Sequence, residues 1–236
     1  DFIITSLPSA GALDAALEGS ASLAAAGRRD LVIIETSTFP LEVKQRGKAL
    51  AEAAGMILLD CPLSGTGAQA RKSDLSIYAS GDRAAYERAI DVFKGFGRSW
   101  YYLGDFGNGS KMKYIANLLV TIHNVAAGEA MVLGEKAGLP LDTILKVIQD
   151  GAGTSRMFEV RGPMMVAGSY EPATMKMDIY QKDIDIIDAY ARAVGSPTPL
   201  FDASVPVYAE ARAKGWDKLD TGAVCRVLEE RAGIKR

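Results

Sequence analysis

Lys113 and Asn117 stand four residues apart in a helical pattern that opens with Gly107-Asn108-Gly109, so their side chains share one face of that helix. A lysine turned toward a closed cleft loses solvation, and its pKa falls toward neutrality. It can then exchange a proton with a hydroxyl or a carbonyl at working pH. An asparagine one turn later can donate to the same small molecule and fix its orientation. The neighbours Ile115, Leu118, Leu119 and Ile122 are apolar and are expected to face core. A solvated surface lysine is the ordinary alternative. Lys111 competes on spacing, although Ile115 rather than a polar residue stands four positions after it.

Two glycine-rich loops could receive an anion. Gly65-Thr66-Gly67-Ala68-Gln69-Ala70 has the outline of a phosphate loop, but a new strand begins only a few residues later. No helix fits there whose N-terminus could hold a pyrophosphate. The segment suits a substrate loop, with a tight glycine-permitted turn as the plain alternative. Gly107-Asn108-Gly109 leads directly into a helix, where exposed backbone N–H groups would suit a substrate carboxylate. A hinge would also use glycine there.

The elements that must position these residues change character along the chain. Phe2–Leu7, Leu31–Thr36, Met56–Asp60, Leu75–Ala79 and Ser99–Leu103 read as strands. The first two are nearly all apolar, as strands covered on both faces are. Ala10–Leu17, Leu41–Ala54 and Ala84–Phe96 read as helices between them, which predicts a mainly parallel sheet with helices on both faces. Thr38-Phe39-Pro40 suits a helix start. After Gly104 strands vanish. Helices are expected over Lys111–Gly138, Leu141–Gln149, Ser155–Val166, Met175–Val194, Pro199–Lys214 and Thr221–Glu230. The fold class is α/β then all-α, with domains at 1–106 and 107–236 joined by a helix over about 110–138.

Composition narrows the chemistry. The 236 residues carry 27 basic and 29 acidic side chains, spread along the chain without a polybasic block. A nucleic-acid partner and an anionic membrane surface are therefore not expected. The most apolar stretch, Ile115 to Ile122, falls short of the ~20 residues that span a bilayer. Cys61 and Cys225 form no CxxC, and His123 is the only histidine, so no metal cluster and no Ser–His–Asp arrangement is expected. His123 reads as a packed or partner-facing residue, and the methionines Met157, Met164, Met165, Met175 and Met177 read as gap fillers.

Taken together, Asp60-Cys61-Pro62-Leu63-Ser64-Gly65-Thr66, the run from Gly107 to Asn117, and Met177-Asp178-Ile179-Tyr180-Gln181-Lys182-Asp183 resemble the β-hydroxyacid dehydrogenase family in order and spacing. Leu7-Pro8 and Glu35-Thr36-Ser37-Thr38 also look like it, and the resemblance covers essentially the whole chain. It implies a Rossmann-type domain joined by a long helix to an all-helical domain. It also implies NAD or NADP as cofactor, and hydride transfer between nicotinamide and a small 3-hydroxy acid or its semialdehyde. By this resemblance Lys113 matches the general acid/base and Asn117 the residue that holds lysine and substrate. Ser64, Gly65 and Thr66 match the loop for the substrate carboxylate, while Leu7, Pro8, Thr38 and Lys182 match positions lining the cofactor.

Ala116, Met175 and Glu35 depart from the family pattern at positions that bear on the substrate. The chain opens at Asp1 inside an apolar strand, so the family's first strand, its GxGxxG loop and the residue selecting NAD or NADP are expected upstream, roughly two βα units. The resemblance, with Val125, Met131 and Leu133 on the long helix, implies a homodimer or homotetramer. It also implies a cytoplasmic enzyme, for which the reduced cysteines speak too. The alternative is a non-catalytic dimerisation or interaction module of the same family, against which the presence of both Lys113 and Asn117 argues.

Overall fold

The apolar runs near the start of the chain become parallel strands in the computed structural model, which describes residues 1–235. The chain divides into two compact units, Asp1–Ala116 and Asn117 onward. In chain order the first unit holds β1 (Phe2–Thr5), α1 (Ala10–Leu17), β2 (Val32–Glu35), α2 (Leu41–Ala53), β3 (Ile57–Asp60), β4 (Leu63–Ser64), α3 (Gly67–Ala70), β5 (Leu75–Ala79), α4 (Arg83–Lys94) and β6 (Gly97–Tyr102). It ends in the first turns of α5 (Asn108–Lys136).

Strands β1, β2 and β3 lie side by side in that order, all parallel, with Ile3, Ile33 and Leu58 in register. Successive side chains of a strand point to opposite faces. Ile33 joins a core cluster with Leu13 and Leu17 of α1 and Val43 of α2, whereas Val32 and Ile34 join Ala89 and Phe93 of α4. This is why Val32–Ile34 of β2 reads as an unbroken apolar run. Each such buried Ile or Phe contributes roughly 2 kcal/mol of hydrophobic stabilisation.

The second sheet has the order β4-β5-β6, with β6 parallel and β4 antiparallel to β5. A single antiparallel bridge, Asp60 to Ser80, ties the end of β3 to the residue after β5. The sheet system is thus mixed. Strand β4 is only two residues long, too short to show a period of two in the sequence.

The second unit is helical, comprising the rest of α5, then α6 (Leu141–Asp150), α7 (Arg156–Ala167), α8 (Met177–Ala193), α9 (Pro199–Ala213), a 3-10 turn at Thr221–Ala223 and α10 (Val224–Arg231). Ser155 caps α7 by accepting from the Phe158 N–H at 3.1 Å. The α/β unit followed by an all-helical one is the architecture expected.

Helix α5 corrects three expectations. Ile115 and Leu119 are 54% and 46% exposed rather than core. Val125 and Met131 are buried within the chain, which leaves Leu133, at 73% exposure, as the outward residue of that trio. The 29-residue helix is also long and apolar enough to cross a membrane, contrary to the short-stretch reading. Its buried Asn117, Thr121 and Asn124 all hydrogen-bond to groups of the second unit, as polar residues of a core helix must.

Candidate active site

The start of α5 is built around one buried carboxylate. Asp60, the last residue of β3, accepts from the Ser110 N–H at 2.7 Å and the Ser110 hydroxyl at 2.8 Å. It also accepts from the Ser80 hydroxyl at 3.2 Å, and that same hydroxyl oxygen accepts from the Gly109 N–H at 2.9 Å. The Lys44 ammonium lies 3.1 Å from Asp60 and pairs with Glu35 as well. Lys44, Glu35 and Asp60 are all fully buried. Burial alone would lower the Lys44 pKa, but Asp60 and Glu35 outweigh it and hold the ammonium above its ordinary range.

The open helix N-terminus expected for a substrate carboxylate is therefore already occupied by the protein's own. Helix N-termini favour such an anion, through their unpaired N–H groups and the helix dipole. A Cβ at Gly109 would stand 2.2 Å from the Tyr78 carbonyl and 2.7 Å from that of Asp60. Glycine serves close packing here, not a hinge.

Lys113 follows Ser110 by one helical turn and is half-buried. Its neighbour Tyr114 donates its hydroxyl to the Phe39 carbonyl, beside Thr38. The competing Lys111 donates to Asn108 Oδ1 at 3.0 Å. Ser64 is half-buried on β4, opposite Ser76. Gly65 has φ +134°, and a Cβ there would stand 2.6 Å from Leu75 Cδ2, so only glycine fits. After it comes a single helical turn, α3, where no helix was expected. Gln69 Oε1 accepts the Thr66 N–H at 3.0 Å. The Thr66 amide is thus spent inside the loop, while the Ser64 hydroxyl stands on a strand end.

Leu7 and Pro8 follow β1, and Thr38 follows β2. The Leu7 N–H donates to Ser37 Oγ at 2.7 Å, which joins these two strand ends. Leu7 and Thr38 are half-buried and Pro8 is exposed. The Thr5 hydroxyl, at the carboxyl end of β1, is buried with no hydrogen-bond partner. Ligands of parallel α/β sheets bind outside the carboxyl ends of the strands. An apolar shelf edged by hydroxyls fits part of a dinucleotide there.

In the second unit, Asn117 and Lys182 come together through a residue that sequence reasoning passed over. Asn117 Nδ2 donates to Asp183 Oδ2 at 2.9 Å, and Asp183 Oδ1 lies 3.3 Å from Lys182 Nζ. The Asn117 carbonyl accepts from Tyr180 and Thr121 hydroxyls at 2.8 and 2.9 Å. Burial pushes the Tyr180 pKa well above the usual phenol value, so it stays a donor. Asp183 follows Lys182 directly, and its charge, next to a lysine on a helix, was the only signal available. His123 lines a cavity of about 310 Å³ with Ala126, Ala127, Ile148, Thr154 and Phe158. It is not part of the arrangement around Asn117.

Residues 1–104 match the model of the NAD binding domain of 6-phosphogluconate dehydrogenase, and residues 107–228 match that of the NAD-binding domain of NADP-dependent 3-hydroxyisobutyrate dehydrogenase. The chain is 35% identical over 230 residues to an L-threonate dehydrogenase of Cupriavidus necator, covering 97% of this chain and 77% of that protein. It is 31% identical over 229 residues to that of Haemophilus influenzae, covering 97% and 76%. A crystal structure of 3-hydroxyisobutyrate dehydrogenase from Salmonella typhimurium superposes with a TM-score of 0.85 at 30% identity, covering 96% of this chain and 78% of that one. The chain belongs to the β-hydroxyacid dehydrogenase family, whose cofactor is NAD or NADP.

Proposed function

We propose that the protein transfers a hydride between nicotinamide and a small 3-hydroxy acid or its semialdehyde, with Lys113 as general acid/base. The observation that carries this reading is the double anchoring of Lys113. Ser110, one turn before it, is bound to Asp60, and Tyr114, next to it, is bound to Phe39. A general base must be held within hydrogen-bond reach of its proton, and both anchors belong to the unit that also carries the Ser64 loop. In this reading the Ser64 hydroxyl and the Gly65 N–H take the substrate carboxylate, and Thr66 shapes the loop. Lys113 accepts the hydroxyl proton as the alcohol becomes a carbonyl and returns it in the reverse direction. Asn117, oriented by Asp183, donates to the substrate oxygen.

The Leu7, Pro8 and Thr38 shelf would hold the cofactor, and Lys182 is a further position that the family resemblance matches to cofactor binding. When bound, that cofactor supplies the hydride acceptor or donor. The substrate class follows the relatives, named for L-threonate and 3-hydroxyisobutyrate, both small hydroxy acids. Cys61 and Cys225 are both free and buried rather than paired in a disulfide, in keeping with a cytoplasmic protein. Exposed Met112, Ile115, Leu119 and Leu133 on α5 suit burial against a second copy in a homodimer or homotetramer. The test is Lys113→Ala. Turnover of a 3-hydroxy acid should fall by roughly 10²- to 10⁴-fold, with cofactor affinity in a fluorescence titration unchanged. Retained turnover removes Lys113 from the chemistry.

A further inference from the structure

We propose that Asp60 is a positioning residue, whose carboxylate fixes the height of Lys113 against the Ser64 loop. The inference rests on the reading of Lys113 and Ser64 given above and adds a third residue to it. Asp60 lies four residues before Ser64, on a segment with no slack. Its N–H donates to the Ser80 carbonyl at 3.0 Å, and its carbonyl accepts the Ser80 N–H at 2.8 Å. The Tyr78 N–H donates to the Pro62 carbonyl at 3.0 Å, and Ser64 is paired with Ser76. The backbone of Asp60 thus belongs to the carboxylate-binding side of the site.

Its side chain belongs to the other side. Each oxygen accepts from Ser110, Oδ1 also facing Lys44 and Oδ2 the Ser80 hydroxyl that bridges to Gly109, and no Cβ at Gly109 keeps the helix from seating fully. A helix is rigid over one turn, so fixing Ser110 fixes where the Lys113 stem begins. A 3-hydroxy acid offers its carboxylate and its hydroxyl only a few bonds apart. A misplacement of about 1 Å between the two receiving groups costs roughly 10²-fold in rate. One carboxylate that holds both receiving elements at once is the shortest connection by which a fold can control that spacing.

The experiment uses Asp60→Asn, which keeps the shape and removes the charge. Hydrogen exchange of residues 109–111 is measured together with calorimetric binding of 3-hydroxyisobutyrate and of isobutyrate, its analogue without the hydroxyl, at saturating NAD(P)H, with which the hydroxy acid cannot react. The wild type should prefer the hydroxy acid by roughly tenfold, the worth of one hydrogen bond. In Asp60→Asn the exchange should speed up, the preference should fall below about twofold, and isobutyrate should bind as before.

Faster exchange with the preference intact would leave Asp60 a helix cap without a positioning role and overturn the proposal. Lost preference without faster exchange would overturn the route through Ser110, and no change in either would overturn the whole. Should Asp60→Asn not fold, Ser110→Ala removes one of the same bonds and must shift both readouts in the same direction. If the wild type itself shows no preference, the hydroxy-acid reading fails and this inference with it. If Asp60→Asn loses the preference while Lys113→Ala retains turnover, the spacing is real and only the role of the lysine is wrong.

Discussion

Each unit buries one ionic cluster ahead of a helix that carries candidate site residues, and the two clusters are balanced differently. In the first unit Lys44 faces two carboxylates, Glu35 and Asp60, and Asp60 leans on the N-terminus of α5. In the second, Arg161 faces Asp220 alone, 3.1 Å away. Asp220 is further saturated by the N–H groups of Thr174, Met175 and Gly222 and by the Thr174 hydroxyl, at 2.7–3.1 Å. It thereby pins the strand-like segment that leads into α8. The first cluster depends on a cation, whereas the second depends mostly on backbone. A buried carboxylate held by N–H groups survives the loss of its cation better than two carboxylates sharing one ammonium.

The severest way to break the first arrangement is Gly109→Ala. The new methyl would meet two backbone carbonyls that cannot swing away, and the loss should be about 4 kcal/mol or more in denaturant unfolding. A loss under about 1 kcal/mol would mean that α5 can lift off Asp60 at little cost.

The comparison itself is tested by removing each cation. Lys44→Met leaves two buried carboxylates, Glu35 and Asp60, side by side without a counter-charge, on the donors of Ser37, Ser80 and Ser110 alone, and should cost about 3–5 kcal/mol. Arg161→Met leaves Asp220 with its other donors, and should cost about 1–3 kcal/mol. Equal losses would show that the backbone donors of Asp220 do not substitute for a charge.

Acid and base should separate the units without mutation. The folded pKa of Lys44 is raised above its ordinary 10.5, so its contribution is whole below that pH and is lost as pH rises through the folded value. For Asp220, burial would raise the pKa, but Arg161 and the hydrogen bonds from Gly222, Thr174 and Met175 bring it below the ordinary 3.8. Its contribution is whole above 3.8 and is lost as pH falls through the folded value. Trp100 lies in the first unit and Trp216 in the second. Single-tryptophan variants followed by fluorescence should show the first unit loosening at the alkaline end and the second at the acid end. The reverse order would contradict the assignment of the two clusters.

What could be read in the sequence was what local pattern controls. The apolar run at Val32–Ile34 and the amphipathic helices are dictated by faces that must be covered, and Lys113 with Asn117 stood out by a spacing of one turn. The Asp60 arrangement was invisible because its partners lie 16, 20 and 50 residues away in sequence, at Lys44, Ser80 and Ser110. Nothing short of the folded chain brings them together. For the same reason the Gly107–Gly109 turn looked like an opening for a substrate, when the protein's own carboxylate closes it. Ile115 and Leu119 show the opposite failure. Apolar spacing says only that a face is apolar, and on α5 that face is exposed.

The smallest expected effect concerns Asp183, which has no counterpart in the first unit. It does not pin backbone. It orients an amide, Asn117, and holds a half-exposed ammonium, Lys182. In Asp183→Asn the new side-chain oxygen can still accept from Asn117, so stability should fall by no more than about 1 kcal/mol. The attraction for Lys182 disappears, however, and the amide of residue 183 can rotate to present its NH2 group to Asn117 instead. Turnover of a 3-hydroxy acid should then fall by roughly tenfold, mostly in kcat, because an asparagine that turns over offers its oxygen where the substrate needs a donor. A variant that loses stability but keeps kcat would make Asp183 a structural acceptor only, with no part in orienting the Asn117 amide.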